Sequence, residues 1–138
     1  MKQDTFTILV IDDDAEDLEI FCDSIERLGP PLECRIMSTC SQALKQLSAN
    51  EIQPQLIFLD AYLNEMGFIE CLRKLKNYKQ LSAVPVAMFG ESVNELHRRE
   101  AAELGAIYYF KKPGRINELV EIIKSVLPAE VHLHYSGN

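Results

Sequence analysis

Five short apolar runs, each followed by a helix-spaced apolar stripe, constrain this chain more than any other feature. Phe6–Ile11 reads FTILVI, β-branched and apolar with no polar alternation, as expected of a strand covered on both faces. Asp12, Asp13 and Asp14 end it, and Leu18, Phe21, Cys22, Ile25 and Leu28 then recur on one helical face. Asp14 is placed to cap that helix, and Glu16 and Asp17 suit its positive end. Gly29-Pro30-Pro31 stops it. A weaker strand over 34–37 precedes a helix carrying Ala43, Leu44 and Leu47. Residues 56–59, LIFL, form a third strand that ends on Asp60, and Met66, Ile69, Leu72 and Leu75 mark the next helix. Residues 84–89 make a fourth strand, with Pro85 tolerable at its start. Val93, Leu96, Ala101 and Leu104 follow on a helix closed by Gly105. Residues 106–110 make a fifth strand. Lys111-Lys112-Pro113-Gly114 then turns the chain into a last helix bearing Ile116, Leu119, Ile123 and Val126 or Leu127, ended by Pro128.

Five βα units with buried strands predict an α/β fold, a parallel doubly wound sheet with helices on both faces. Five strands are too few for an eight-stranded barrel, so the open sheet is the expected form. Ligands of such sheets bind beyond the carboxyl ends of the strands, where strand order switches. The residues there are Asp12 and Asp13, Asp60, Gly90 and Lys112.

The chain's 138 residues suit one domain. We expect that domain over 1–127, with 128–138 a short tail and no output domain. Apolar residues at 47% and charged residues at 25% are the balance of a soluble globular protein. Fourteen basic against twenty-one acidic residues give a net charge of −7, which argues against a nucleic-acid backbone as direct partner. No apolar run is long enough to span a bilayer, which needs about 18 residues. Asp4 lies where a secretory signal would begin its apolar core, so a cytoplasmic location is expected. Cys22, Cys34, Cys40 and Cys71 form no C-x-x-C pair, and buried free thiols rather than a disulfide framework are expected. His132-x-His134 reads as a solvated tail rather than a metal site.

Three carboxylates at one sheet edge repel one another and raise their pKa values unless a cation sits among them. A hard divalent ion such as Mg²⁺ is the natural remedy, since it keeps several waters beside one or two carboxylates. A lysine at the same place supplies a point charge for a phosphoryl oxygen. Together these groups can orient a phosphoryl group for in-line transfer to a carboxylate. The plainer reading, in which each acid caps a helix or solvates a loop, suffices for Asp14 or Asp17 but explains the joint placement of Asp12, Asp13, Asp60 and Lys112 poorly.

The stretches ILVIDDD (8–14), LIFLD (56–60) and KKP (111–113) resemble the receiver domain of two-component response regulators, with every βα unit in order from about 6 to 127. The resemblance implies a flavodoxin-like sheet of order 2-1-3-4-5. It implies that Asp60 accepts a phosphoryl group from a histidine kinase or histidine phosphotransfer protein. Asp12, Asp13, Asp60 and the backbone carbonyl of Tyr62 would hold Mg²⁺, Lys112 would contact the phosphoryl oxygens, and the bond before Pro113 would be cis. Tyr109 matches an aromatic that reorients on activation. The implied protein is not an enzyme beyond Mg²⁺-dependent self-phosphorylation and dephosphorylation. It would be a monomer or weak dimer that acts by docking on a downstream protein, without direct nucleic-acid binding or membrane insertion.

Three features depart from the family pattern. Gly90 stands where a serine or threonine is usual, so the hydrogen bond that reports phosphorylation has no hydroxyl there. Glu91 follows in place of a small residue. Ser92, two positions further, either supplies the missing hydroxyl or caps the next helix. Asn64 replaces the usual proline after the acceptor, and glycine falls one position early at Gly67, leaving Phe68 in its place. The Tyr62 side chain flanks Asp60, either shading the site from water or lying on the surface. Of Tyr108 and Tyr109, one packs inward and the other could join His97 and Arg98 on a partner surface.

Two enzyme classes fit less well. Asp12-Asp13-Asp14 offers the D-x-D of an aspartate-nucleophile phosphatase, but Glu16 follows where a small or β-branched residue is usual, and Asp60 is left without a role. A flavin-binding fold would need a phosphate loop rich in Ser, Thr or Gly after the first strand. A pseudo-receiver that binds a partner with weak or no phosphorylation-driven switching remains the alternative.

Overall fold

The computed structural model describes residues 5–133. Its strands are β1 (Phe6–Ile11), β2 (Leu32–Met37), β3 (Leu56–Asp60), β4 (Val86–Gly90) and β5 (Tyr108–Lys111). Its helices are α1 (Ala15–Leu28), α2 (Cys40–Ser48), α3 (Phe68–Asn77), α4 (Glu95–Glu103) and α5 (Ile116–Val126), with a short 3₁₀ turn over Lys79–Leu81. All pairings are parallel and the order is β2-β1-β3-β4-β5, as the resemblance implied.

Side-chain alternation along the strands divides the apolar residues between two cores. Ile8, Val10, Phe58, Phe89 and Phe110 face α1 and α5, where Phe21 lies 5.3 Å from Phe58 and 4.8 Å from Phe89 between ring centroids. Leu9, Ile11, Ile57, Leu59, Met88 and Tyr109 face the other way, onto α2, α3 and Ala101 of α4. Every residue of β3 and β4 is buried. Because both faces are covered, these strands read as unbroken apolar runs. The edge strand β2 is only partly covered, which explains its weaker sequence signal. Val131 and Leu133 beyond Pro128 also pack on the α1–α5 core. His134 of the His-x-His pair lies outside the described residues.

Helix α1 starts as its sequence predicts, with the Asp14 side chain accepting from the Glu16 and Asp17 amides at 2.9 and 3.2 Å. Helix α4 is capped by Asn94, whose Oδ1 accepts from the Leu96 and His97 amides, so Ser92 is not its cap. Gly29 and Gly105 take positive φ values of 75° and 96° after α1 and α4, the backbone state that favours glycine.

Two expectations are corrected. Cys40 of α2 and Cys71 of α3 form a disulfide with their Cα atoms 6.1 Å apart, so these are not free thiols. Each lies on a buried helical stripe, and periodicity carries no information about which stripes face each other. Cys22 and Cys34 are free, with sulfur atoms 3.2 Å apart. Burial, then the contact with Cys22, pushes the Cys34 thiol well above its ordinary pKa and makes it unreactive. Among the described residues the cis peptide bond is Pro30–Pro31, and the bond before Pro113 is trans. Trans remains the favoured form even before proline unless the surrounding structure selects cis.

Candidate functional site

The carboxyl ends of β1, β3 and β5 bring the site together. Pairing sets Ile11 level with Leu59, Asp60 with Phe89, and Gly90 with Lys111, so the residues just beyond these rows converge. Ligand oxygens of Asp12, Asp13 and Asp60 lie within 4.8 Å of one another. Asp12 is fully buried and Asp60 nearly so, whereas Asp13 is exposed. Each acid is held by a backbone amide. Asp14 donates to Asp12 Oδ1 at 3.0 Å, Tyr62 to Asp60 Oδ1 at 3.0 Å, and Asn64 to Asp13 Oδ2 at 2.9 Å. The last contact gives the Asn64 departure a physical meaning, because proline has no amide hydrogen to donate there.

Lys112 enters from the end of β5, and its own amide donates to the Gly90 carbonyl at 2.8 Å. Its Nζ lies 3.4 Å from both Asp12 Oδ2 and Asp60 Oδ2 and 2.5 Å from Asp17 Oδ2. Burial alone would lower the Lys112 ammonium. The hydrogen bond to Asp17 and the charges of Asp12, Asp60 and Asp17 overcome that and hold it well above its ordinary pKa. Lys111 is exposed. Asp17 was read from sequence only as a favourable charge at a helix start. No local pattern shows that α1 presents it to a lysine 95 positions later.

Asp12 carries the strongest electrostatic signal. Burial, then a hydrogen bond with the neighbouring Asp60 carboxyl, pushes its pKa up to about 8, against the opposing pull of the Asp14 amide and Lys112. Its buried Oδ2 makes no well-formed hydrogen bond and has the Lys112 ammonium 3.4 Å away. A buried carboxyl oxygen so poorly satisfied, next to two further carboxyl groups, fits a hard cation that would displace the proton.

The loop after β3 packs against α2 and α4. Glu65 Oε1 accepts from the Cys40 and Ser41 amides at 3.0 and 3.3 Å, satisfying the start of α2. Gly67 precedes α3 with φ −63°, a value open to any residue. Phe68 therefore needs no special backbone and is buried, its ring 5.3 Å from that of His97. Tyr109 is buried, and burial, then the neighbouring Tyr62 hydroxyl and the Asp60 charge, push its phenol well above its ordinary pKa; Tyr108 is 45% exposed. Tyr62 is 40% exposed, so it lies partly on the surface, yet its ring rests over Gly90.

The family model described as the response regulator receiver domain matches residues 8–124. The chain belongs to the receiver domain family. This receiver is 32% identical over 121 residues to the phosphate regulon transcriptional regulatory protein PhoB of Pseudomonas aeruginosa, covering 88% of this chain and 51% of that protein. It is 31% identical over 120 residues to the DNA-binding response regulator MtrA of Mycobacterium tuberculosis, covering 87% and 50%. The receiver thus spans about half the length of these curated relatives. Among solved structures, the chemotaxis protein CheY4 of Vibrio cholerae superposes with a TM-score of 0.79 at 19% identity, covering 89% of this chain and 99% of that one. The Mn(2+)-bound form of response regulator Rcp1 gives 0.78 at 25% identity, covering 93% and 98%. The fold and the signalling family are therefore those the sequence motifs implied. No helix among the described residues is long and apolar enough to cross a membrane.

Proposed function

We propose that this receiver accepts a phosphoryl group on Asp60 from a histidine kinase or a histidine phosphotransfer protein, and then acts in the cytoplasm by docking on a downstream protein. The observation that carries the reading is the arrangement of Asp60, buried at the end of β3 between two acids and Lys112. In the step itself an Asp60 carboxylate oxygen bonds to phosphorus as the donor's P–N bond breaks, and the departing imidazole takes up a proton. Asp12, Asp13, Asp60 and the Tyr62 carbonyl are the groups that would hold Mg²⁺. That ion, when bound, would supply positive charge beside the phosphoryl oxygens. Lys112 supplies a second positive charge from the β5 side, which requires it to exchange Asp17 for a phosphoryl oxygen. The Asp14, Tyr62 and Asn64 amides hold the three carboxylates in place, so little reorganisation accompanies the transfer.

Residues 1–127 form the receiver in this reading, with 128–138 a tail. Leu96, Ile107 and Tyr108, exposed at 60%, 52% and 45%, give the α4–β5 face the apolar character of a docking surface. Free receiver is taken to be a monomer or weak dimer with no direct contact to nucleic acid. Bare Gly90 favours a second reading, a pseudo-receiver that docks without phosphorylation-driven switching. Intact-mass measurement after incubation with Mg²⁺ and a small phosphodonor separates the two. The first reading predicts one added phosphoryl group in the wild type and none in Asp60→Ala. An unmodified wild type, with small donors and with several kinases, favours the second.

A further inference from the structure

Gly90 ends β4 beside the acceptor, and the space a side chain would take there is filled. A Cβ on Gly90 would lie 2.7 Å from Cε2 and 3.0 Å from Cδ2 of the Tyr62 ring, closer than such atoms pack. The ring therefore depends on the missing side chain, and a hydroxyl-bearing residue at position 90 could enter only by displacing it. From this seat the Tyr62 hydroxyl reaches Ser92 Oγ at 3.3 Å, and its ring centroid lies 6.1 Å from that of His97 on α4. The same residue's amide donates to Asp60 Oδ1 at 3.0 Å. Tyr62 thus touches the acceptor carboxylate through its backbone and the α4 side of the molecule through its ring.

We propose that the Tyr62 side chain, seated on Gly90, is the element that couples the state of Asp60 to Ser92 and α4 in this chain. The inference rests on the receiver reading. A ligand on Asp60 alters the carboxylate to which the Tyr62 amide is bonded. A shift of that peptide moves the ring against Gly90, and the ring carries the change to Ser92 and His97. Coupling of this kind requires an element with contacts that differ between two states, and Tyr62 is in contact with both ends. Ser92 acts here as the ring's hydroxyl partner rather than as a donor to the phosphoryl group.

The test uses the full chain with Mg²⁺ and beryllofluoride as probe, comparing wild type, Tyr62→Phe, Tyr62→Ala, Gly90→Ala and the Tyr62→Ala/Gly90→Ala double variant. Amide chemical shifts are read separately for the acceptor loop and for α4. In the wild type both sets should move. Tyr62→Ala, which leaves the backbone amide and carbonyl of position 62 in place, should still show loop shifts once the probe is saturating, whatever its affinity, but lose most of the α4 response, and Tyr62→Phe should retain most of it. Gly90→Ala should lower both the unfolding midpoint and the α4 response, and both effects should vanish when it is added to Tyr62→Ala. An α4 response of wild-type size in Tyr62→Ala overturns the inference while leaving the receiver reading intact. So does a Gly90→Ala penalty that is unchanged in the Tyr62→Ala background. A wild type that shows no loop shifts at all overturns the receiver reading, and this inference with it.

Discussion

Replacing Lys112 by methionine tests the electrostatics of the site without changing its bulk much. The ammonium has side-chain exposure of 13% and lies 3.4 Å from the Asp12 and Asp60 carboxylates, themselves 0% and 3% exposed. At that distance, with an effective dielectric constant of about 20, each pair has a gross attraction of about 5 kcal/mol. Desolvation and the mutual repulsion of the acids offset most of it. Removing one member of a buried pair typically costs about 3–5 kcal/mol. Here the loss is smaller, because Asp12 can hold a proton up to about pH 8 and the Asp17 side chain is 23% exposed. We expect Lys112→Met to lose about 2–3 kcal/mol near pH 7 without metal, a large share of a domain's usual stability. Two linked terms set the pH dependence. A raised carboxyl holds its proton in the folded state, so its contribution to stability falls as pH rises from about 4 towards 8. Lysine removal raises Asp12 further and extends that fall to higher pH, so the deficit should grow from pH 7 to pH 9. The wild-type Lys112 contribution persists through this range and is lost only as pH rises through its elevated folded pKa. Added Mg²⁺ should rescue the variant more than it stabilises the wild type, since it replaces the missing charge. Urea denaturation at the two pH values, with and without Mg²⁺, measures all of this. A variant within about 0.5 kcal/mol of wild type under every condition would mean that Lys112 is effectively solvated, and would refute the reasoning.

Asp17→Asn frees Lys112 from its shortest contact, and beryllofluoride affinity in Mg²⁺ should rise, by up to about tenfold for a lost charge-assisted hydrogen bond; an unchanged or weaker affinity contradicts the view that Asp17 competes for the lysine. Mg²⁺ binding should displace the Asp12 proton below about pH 8, so affinity should increase by up to about tenfold per pH unit between 6 and 8. Calorimetry in buffers of different ionisation enthalpy checks this, and binding without proton release contradicts it. Reducing the Cys40–Cys71 bond, whose residues are 31 apart in sequence, should lower stability by at most about 3–4 kcal/mol through loop-closure entropy. Denaturation with and without a thiol reductant would expose an error here as an unchanged midpoint.

Strands and helix stripes were legible because burial imposes periods that survive in one sequence. The acidic pair, Asp60 and Lys112 were legible because parallel strands place their carboxyl ends at one edge. Strand limits shifted by one or two residues, with β4 starting after Pro85 and β5 at Tyr108, where ladder pairing rather than apolar character decides. What stayed hidden depends on distant segments meeting. Asp17 meets Lys112 across 95 positions, Tyr62 fills the space over Gly90, and Cys40 joins Cys71. The Ser92 alternatives were local, and Asn94 took the cap because its side-chain oxygen reaches the Leu96 and His97 amides. Gly90 looked like a simple loss of function in sequence. In three dimensions the loss is also a seat.

The measurement that bears most directly on the account is chemical trapping of the acceptor. Protein incubated with a small phosphodonor is treated with borohydride, which reduces an aspartyl phosphate to homoserine, and the peptides are then sequenced by mass spectrometry. With Mg²⁺ present, homoserine should appear at position 60 and nowhere else among the acids, and omission of Mg²⁺ should remove the signal. Trapping at Asp12 or Asp13, trapping that needs no metal, or no trapped residue under any donor would contradict the assignment of Asp60 as the phosphoacceptor.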